Sequence, residues 1–229
     1  MKRINHFRSI AFVLMLFTLL IYSCEEVPEE QADEWETVFF DDFNRADGDL
    51  GTNFEVQIYG DGSALVSGNQ LKVEDGSYYA VRYGTPVSDD KFRFSLKCTT
   101  AENPSSTYAF GISARSRSLA TDWTQQEIYM GALWYEADSL KLSKLVGSGF
   151  PEEMAGKAFD IQSNTNYLLQ LTYDNGHLKF KVTDLDSDFA DSVEYTDPVP
   201  LTGDTISING MQENGDVVYF DDFKIEKIK

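Results

Sequence analysis

Apolar and polar residues alternate with a period of two along most of this chain, and no stretch from Thr37 onward sustains the 3.6-residue period of a helix. Phe92, Phe94, Leu96 and Cys98 alternate with Lys91, Arg93, Ser95 and Lys97, the pattern of a strand with one buried and one solvated face. Phe54, Val56 and Ile58 alternate in the same way with Glu55, Gln57 and Tyr59. Tyr167 to Tyr173 and Leu178 to Val182 flank Asn175-Gly176, and Asn-Gly between alternating runs marks a two-residue hairpin. The remaining breaks fall at Gly, Asp and Pro, as in Gly60-Asp61-Gly62, Asp75-Gly76 and Asp138-Ser139. Residues 147–165 read as an irregular excursion with a helical turn at Glu152-Glu153-Met154-Ala155, and residues 187–200 read as a loop. Roughly a dozen short strands are therefore expected, enough for two packed antiparallel sheets in an all-β jelly-roll sandwich.

The folded part opens on Phe39-Phe40-Asp41-Asp42-Phe43 and closes on Tyr219-Phe220-Asp221-Asp222-Phe223. Two such matched strands are expected to lie side by side and close the sheet. Strict alternation puts Asp41 on the face of Phe39 and Phe43, and Asp221 on the face of Tyr219 and Phe223. A carboxylate on an apolar face is costly unless it is hydrogen-bonded, paired or metal-bound. A bulge in either strand would switch that phase.

Charge narrows the partners. The chain has 229 residues with Lys+Arg 19 and Asp+Glu 38. Removing Lys2, Arg3 and Arg8 from the 19 leaves 16 basic residues against 38 acidic ones from Cys24 onward. Such an excess disfavours nucleic acid and anionic membrane surfaces, both of which attract basic patches. It suits a solvated surface or acids that hold Ca²⁺, a cation that takes oxygen ligands. Only His177 lies beyond the leader, which argues against Ser-His-Asp, Cys-His and multi-His zinc chemistry. Cys98, in phase with apolar neighbours, reads as a small core residue.

At the amino terminus Lys2, Arg3 and Arg8 precede the apolar run Ile10 to Ile21, the layout of a secretory signal over residues 1–23. The run is too short to span a membrane comfortably. It ends in Leu20-Ile21-Tyr22-Ser23-Cys24, which resembles the lipobox of bacterial lipoproteins. That resemblance implies cleavage before Cys24 and a diacylglycerol on its thiol, although Tyr22 is bulkier than the pattern favours. The other reading is an ordinary cleavable signal. Residues 24–36 are acidic and polar, the composition of a disordered tether. Acids directly after the cysteine resemble an export tag of surface lipoproteins, which implies the outer membrane.

Residues 37–229 resemble the concanavalin A-like lectin/glucanase family, in the broad sense that includes laminin-G-like domains. The likeness is carried by Phe40-Asp41-Asp42-Phe43-Asn44-Arg45, Gly111-Ile112-Ser113-Ala114-Arg115, Tyr167 to Tyr173 with its Asn-Gly turn, and Tyr219-Phe220-Asp221-Asp222-Phe223. It implies a concave face or rim where glycans bind, and a structural Ca²⁺ near the joined ends with Asp42 and Asp222 as ligands; those acids otherwise serve as hydrogen-bonded strand ends. Hydrolases of this fold carry an acidic triplet on one strand, whereas Glu127 to Glu136 has acids only at its ends. A non-catalytic glycan binder is therefore the leading expectation. A divergent hydrolase or lyase and a structural or protein-binding lipoprotein remain as alternatives. Sugar binding wants an aromatic platform flanked by polar side chains. Arg82, Arg115, Trp123, Tyr129 and Trp134 are the candidates, with Gln57 and Tyr59 beside them. Trp134 shares phase with Ile128 and Met130 and could equally be core, and Arg115 could equally hold one of the many acids.

Overall fold

The computed structural model describes residues 33–74, 78–102, 109–116, 127–147, 151–211 and 216–229. Every regular element among them is a strand, and Trp35–Lys229 form one compact unit. In chain order the strands are β1 (Trp35–Asp41), β2 (Phe54–Tyr59), β3 (Ser63–Ser67), β4 (Gln70–Glu74), β5 (Tyr78–Tyr83), β6 (Lys91–Thr99) and β7 (Ala109–Ser116). They continue as β8 (Glu127–Trp134), β9 (Ser139–Val146), β10 (Glu152–Ala158), β11 (Asn166–Asp174), β12 (His177–Asp184), β13 (Ala190–Thr196), β14 (Thr205–Met211) and β15 (Val217–Ile228).

Two antiparallel sheets form the sandwich. One runs β13-β12-β11-β6-β15-β4-β3, with β1 also paired to β15. The other runs β10-β9-β8-β7-β14-β5-β2. The matched ends do lie together: β1 pairs antiparallel with β15, Trp35 opposite Ile228 and Asp41 opposite Phe223. β11 and β12 join through Asn175 and Gly176, with Asp174 opposite His177. Both turn residues have positive φ, 48° and 90°, which Asn and Gly tolerate best.

Two expectations fail locally. Glu152-Glu153-Met154-Ala155 belongs to strand β10 and makes no helical turn; it pairs with β9 around a bulge at Met154. Residues 190–196, read as loop, form β13 on the far edge of the first sheet. Both are edge strands; most of β10 is exposed, and β13 buries only Val193. Their composition therefore carries little of the apolar alternation by which strands are recognised.

The core is contiguous between the sheets, and one end of it is aromatic. Phe223 packs on Phe94, Phe54 and Phe39 at centroid distances of 4.6, 5.3 and 5.8 Å. Phe39 also meets Tyr83 at 4.3 Å, and Phe43 meets Phe54 at 5.7 Å. Burying each such ring stabilises the fold by roughly 2–3 kcal/mol. A bulge makes this possible. Between Asp221 opposite Lys97 and Lys224 opposite Ser95, Asp222 and Phe223 together face the single residue Leu96. Asp222 takes φ 49°, and Phe220 and Phe223, three apart, both turn into the core. Asp221 shares the outer side with Tyr219 as alternation required, but Phe223 has left that side.

Candidate functional site

The outer face of the seven-stranded sheet can be read directly from the strand registers. One row across it is Glu55, Arg82, Ser207, Ser113, Met130, Ser143 and Glu153. The next is Gln57, Ala80, Asn209, Gly111, Ala132, Lys141 and Gly156. A third continues through Ala109, Trp134 and Ser139. Ser207, Asn209, Ser113, Gly111 and Ala109 make β14 and β7 a band of short side chains, with Glu55, Arg82 and Gln57 on one side of it and Met130, Trp134, Lys141 and Glu153 on the other.

The middle is buried and internally satisfied. The Ser113 and Ser207 hydroxyls lie 2.7 Å apart, and the Asn209 amide donates to both. Gly111 is required there, because a Cβ would sit 2.1 Å from the Gly131 carbonyl oxygen. These residues are the scaffold that holds the margins apart.

The margins are open and incompletely satisfied. Trp134 is half-buried, with the Lys141 ammonium 5.5 Å from its ring centroid, and Lys141 pairs with Glu153 at 3.0 Å. The Trp134 indole N–H and the hydroxyl of its cross-strand neighbour Ser139 are buried and have no hydrogen-bond partner among the described residues. Across the face, Arg82 reaches Glu55 at 3.4 Å through one terminal nitrogen, while its Nε–H is likewise buried with no acceptor among the described residues. A buried donor without a partner is unusual enough in a native protein to call for a physical account. Arg82 and Trp134 stand three strands apart, about 14 Å, and two rows apart, about 13 Å along the strands, so they face each other diagonally across roughly 20 Å.

Of the other expected site residues, Arg115 and Tyr129 lie in the interior. Arg115 follows a second bulge, where Ala114 and Arg115 oppose Ile206 alone, and its φ is 58°. The bulge turns the side chain away from the Ser113 face. Its guanidinium stacks 4.3 Å from the Tyr173 centroid and 5.1 Å from that of Phe92, and donates to the carbonyls of Gly203 and Asp89. The exposed Asp90 carboxylate, 3.7 Å away, is its nearest acid. Tyr129 belongs to the inner phase of β8 with Gly131 and Leu133, so Trp134, Ile128 and Met130 take the outer one. Its hydroxyl donates to Asp197 at 2.5 Å and accepts from the Leu201 N–H at 2.9 Å. Burial, and then the Asp197 carboxylate, push this phenol well above its usual range. Burial disfavours the charge on Asp197, yet Lys144 at 2.6 Å and Tyr129 outweigh it and hold that carboxyl below the ordinary range. Trp123 and Cys24 lie outside the described residues, as does the Tyr59 side chain.

The joined ends do not fit a calcium ion. Asp222 Oδ2 holds the Lys97 ammonium at 2.5 Å, and Asp42 Oδ1 accepts the Asn44 N–H at 3.1 Å. Among the described residues no group of three ligating side chains gathers. Asp41, whose side chain is nearly buried, accepts from Phe43 N–H at 2.8 Å and pairs with Arg45 at 2.9 Å. It is a turn anchor, which answers the cost of its position. Burial raises the Asp221 carboxyl; the Asp222 N–H counters this, and the charges of Asp222 and Asp42 add to the rise.

Comparison of the whole chain shows what this architecture is shared with. A carbohydrate-binding module of Bacillus subtilis (CBM66) superimposes with a TM-score of 0.60 at 14% identity, over 78% of this chain and 98% of that one. The basic winged bean lectin, solved with Tn-antigen, gives 0.61 at 10% identity, over 84% and 98%. The lumenal domain of VIP36 in its Ca²⁺- and mannose-bound form gives 0.59 at 12% identity, over 77% and 81%. The fold is a lectin-like jelly roll. No protein-family model matches the sequence, and no curated protein matches it. The structure brings Arg82 and Trp134, both named from the sequence, to one face of the seven-stranded sheet together with Ser139, Lys141 and Glu153, which the sequence reading did not single out. Lys141 was legible as the polar member of Leu140-Lys141-Leu142; Glu153 was hidden by the helical reading of its segment.

Proposed function

We propose that this chain binds carbohydrate without cleaving it, on the outer face of the seven-stranded sheet. The observation that carries the reading is the pair of buried donors, Arg82 Nε–H and Trp134 Nε1–H, that have no hydrogen-bond partner among the described residues and lie on one face, either side of β7 and β14. A glycan that reaches these positions supplies hydroxyl oxygens to the two donors, and Trp134 offers a ring face to sugar C–H groups. The spacing suits an oligosaccharide strand over several units. The likeness to carbohydrate-binding modules and lectins supports the same reading. Glu55 and Glu153, the acids of that face named above, each hold a cation. That arrangement suits hydrogen bonding better than the acid and base pair that glycoside hydrolysis uses.

The anchoring proposal rests on the sequence: cleavage before Cys24, lipid on its thiol, and an acidic tether that leads the domain to the outer membrane surface. Cys24→Ala tests it directly, with loss of lipid labelling and of membrane association expected. The binding proposal is tested by affinity electrophoresis in gels cast with a panel of neutral and acidic polysaccharides. At least one is expected to retard the protein, and Trp134→Ala or Arg82→Ala to weaken retention at least tenfold, about 1.4 kcal/mol. Uniform mobility in every gel, or unchanged retention of both variants, overturns the assignment.

A further inference from the structure

The opposite sheet carries a cleft of its own. It holds about 270 Å³ on the outer side of the eight-stranded sheet and is lined in part by Tyr219, Asp221, Lys97, Thr99, Gln70 and Asn166. The strand registers build it: Tyr219 lies opposite Thr99 on one side and Lys72 on the other, and Asp221 lies opposite Lys97. Its far wall is the turn after β12, which contributes Leu185 and Asp186. That turn is fixed. Asp184 accepts from the Asp186 N–H at 2.8 Å and the Ser187 hydroxyl at 2.7 Å, and the Leu185 N–H bonds the Asn166 carbonyl at 2.8 Å.

The chemistry of the lining selects a ligand class. The bulge at Asp222 draws the Lys97 ammonium onto Asp222 and away from its cross-strand partner Asp221. Among the described residues Asp221 keeps one hydrogen bond, from the Asp222 N–H to Oδ1, so Oδ2 stays available as an acceptor. The Thr99 hydroxyl spends its proton on Asn166 Oδ1 at 2.7 Å and can accept again. Gln70 and the Tyr219 hydroxyl make no hydrogen bond among the described residues and can both donate and accept. A bare anion entering here meets Asp221 and Asp186. A bare cation meets Lys97, itself held by Asp222, and two acids, and no group of three ligating side chains gathers among the described residues. A neutral ligand whose hydroxyls donate and accept meets a complement to each, with the Tyr219 ring and Leu185 as apolar surface. The volume lies just below the range of about 300–1,000 Å³ that encloses drug-sized ligands, so the occupant is small.

We propose that this cleft is a second binding site, for a single neutral sugar residue, on the sheet opposite Trp134. It does not depend on the reading of the Trp134 face. Amide NMR of the full chain titrated separately with D-glucose, D-galactose and D-mannose tests it. At least one hexose is expected to move the amide signals of Thr99, Asn166, Asp186, Tyr219 and Asp221. Tyr219→Ala and the isosteric Asp221→Asn are each expected to weaken that response at least tenfold, while Trp134→Ala leaves it in place. Dispersed spectra of the variants establish that they are folded. The proposal is overturned if no hexose moves these signals, if inorganic phosphate or Ca²⁺ moves them where the hexoses do not, or if both cleft variants respond as the parent does.

Discussion

Arg115 puts a permanent charge into the interior and has it accepted by two ring faces and two backbone carbonyls. Cation–π contact without water and hydrogen bonds from a charged donor are each worth about 2 kcal/mol. Arg115→Ala is therefore expected to cost about 3 kcal/mol, a fall in Tm of about 9 °C for a domain of this size, measurable by calorimetry. Retention on a polysaccharide gel at a temperature where the variant is folded should not change, because the side chain is remote from the outer face. Asp222 and Arg115 share a backbone device: each has positive φ inside a bulge, where two residues face one. Alternation placed Arg115 on the glycan-facing side and Phe223 beside Asp221, and in both strands one extra residue reversed the phase. The residue types at these positions give no sign of the slip, since Arg and Asp are not the glycine that usually marks a left-handed backbone. The neighbouring Phe220 and Phe223 were the available clue: both are large and apolar at a spacing of three.

Strand β8 shows why phase was ambiguous even where no bulge intervenes. Ile128, Met130 and Trp134 are bulky on one face, and Tyr129 and Leu133 are bulky on the other. Gly131 settles which face is inner. A Cβ there would stand 2.4 Å from Phe180 Cγ, so the ring of β12 fills the space that the glycine leaves. Gly131→Ala is expected to destabilise by about 1–3 kcal/mol through overpacking, read as a lower urea midpoint, and Phe180→Leu in the same chain should recover part of the loss. Central strands such as β6 and β11, with one apolar and one polar face, were fully legible, as was the Asn175-Gly176 turn. The edge strands β10 and β13 were not, because β10 is mostly exposed, β13 buries only Val193, and the pairing that makes them strands lies in their neighbours.

At the scale of the whole molecule the acids dominate, and the pH response follows from how the native state treats them. Asp174, Asp184, Asp191, Glu194, Asp197 and Glu226 all have carboxyls held below their ordinary range. Their folded values lie below the unfolded ones of about 4. The stability they contribute is therefore present above that pH and is lost as pH falls through the folded values. Glu194 is exposed and Asp184 and Asp191 are partly exposed, so screening keeps their terms small; Asp197 and Glu226 are buried. Tm is expected to hold down to about pH 5 and then decline. Asp197→Asn should start lower at pH 7 and decline less steeply, since the group that titrates against Lys144 and Tyr129 is gone. Thermal melts across that pH range check both statements.

The pairing of Trp35 with Ile228 makes the path of the backbone almost a ring, interrupted at one seam. A ring has no preferred starting point. A few glycines joining Ile228 to Trp35 would leave the register of β1 on β15 untouched, and the chain could begin anew at an exposed turn such as the one after β12. Gene rearrangements of that kind would move the chain's starting point to another corner of the sandwich without altering a single core residue.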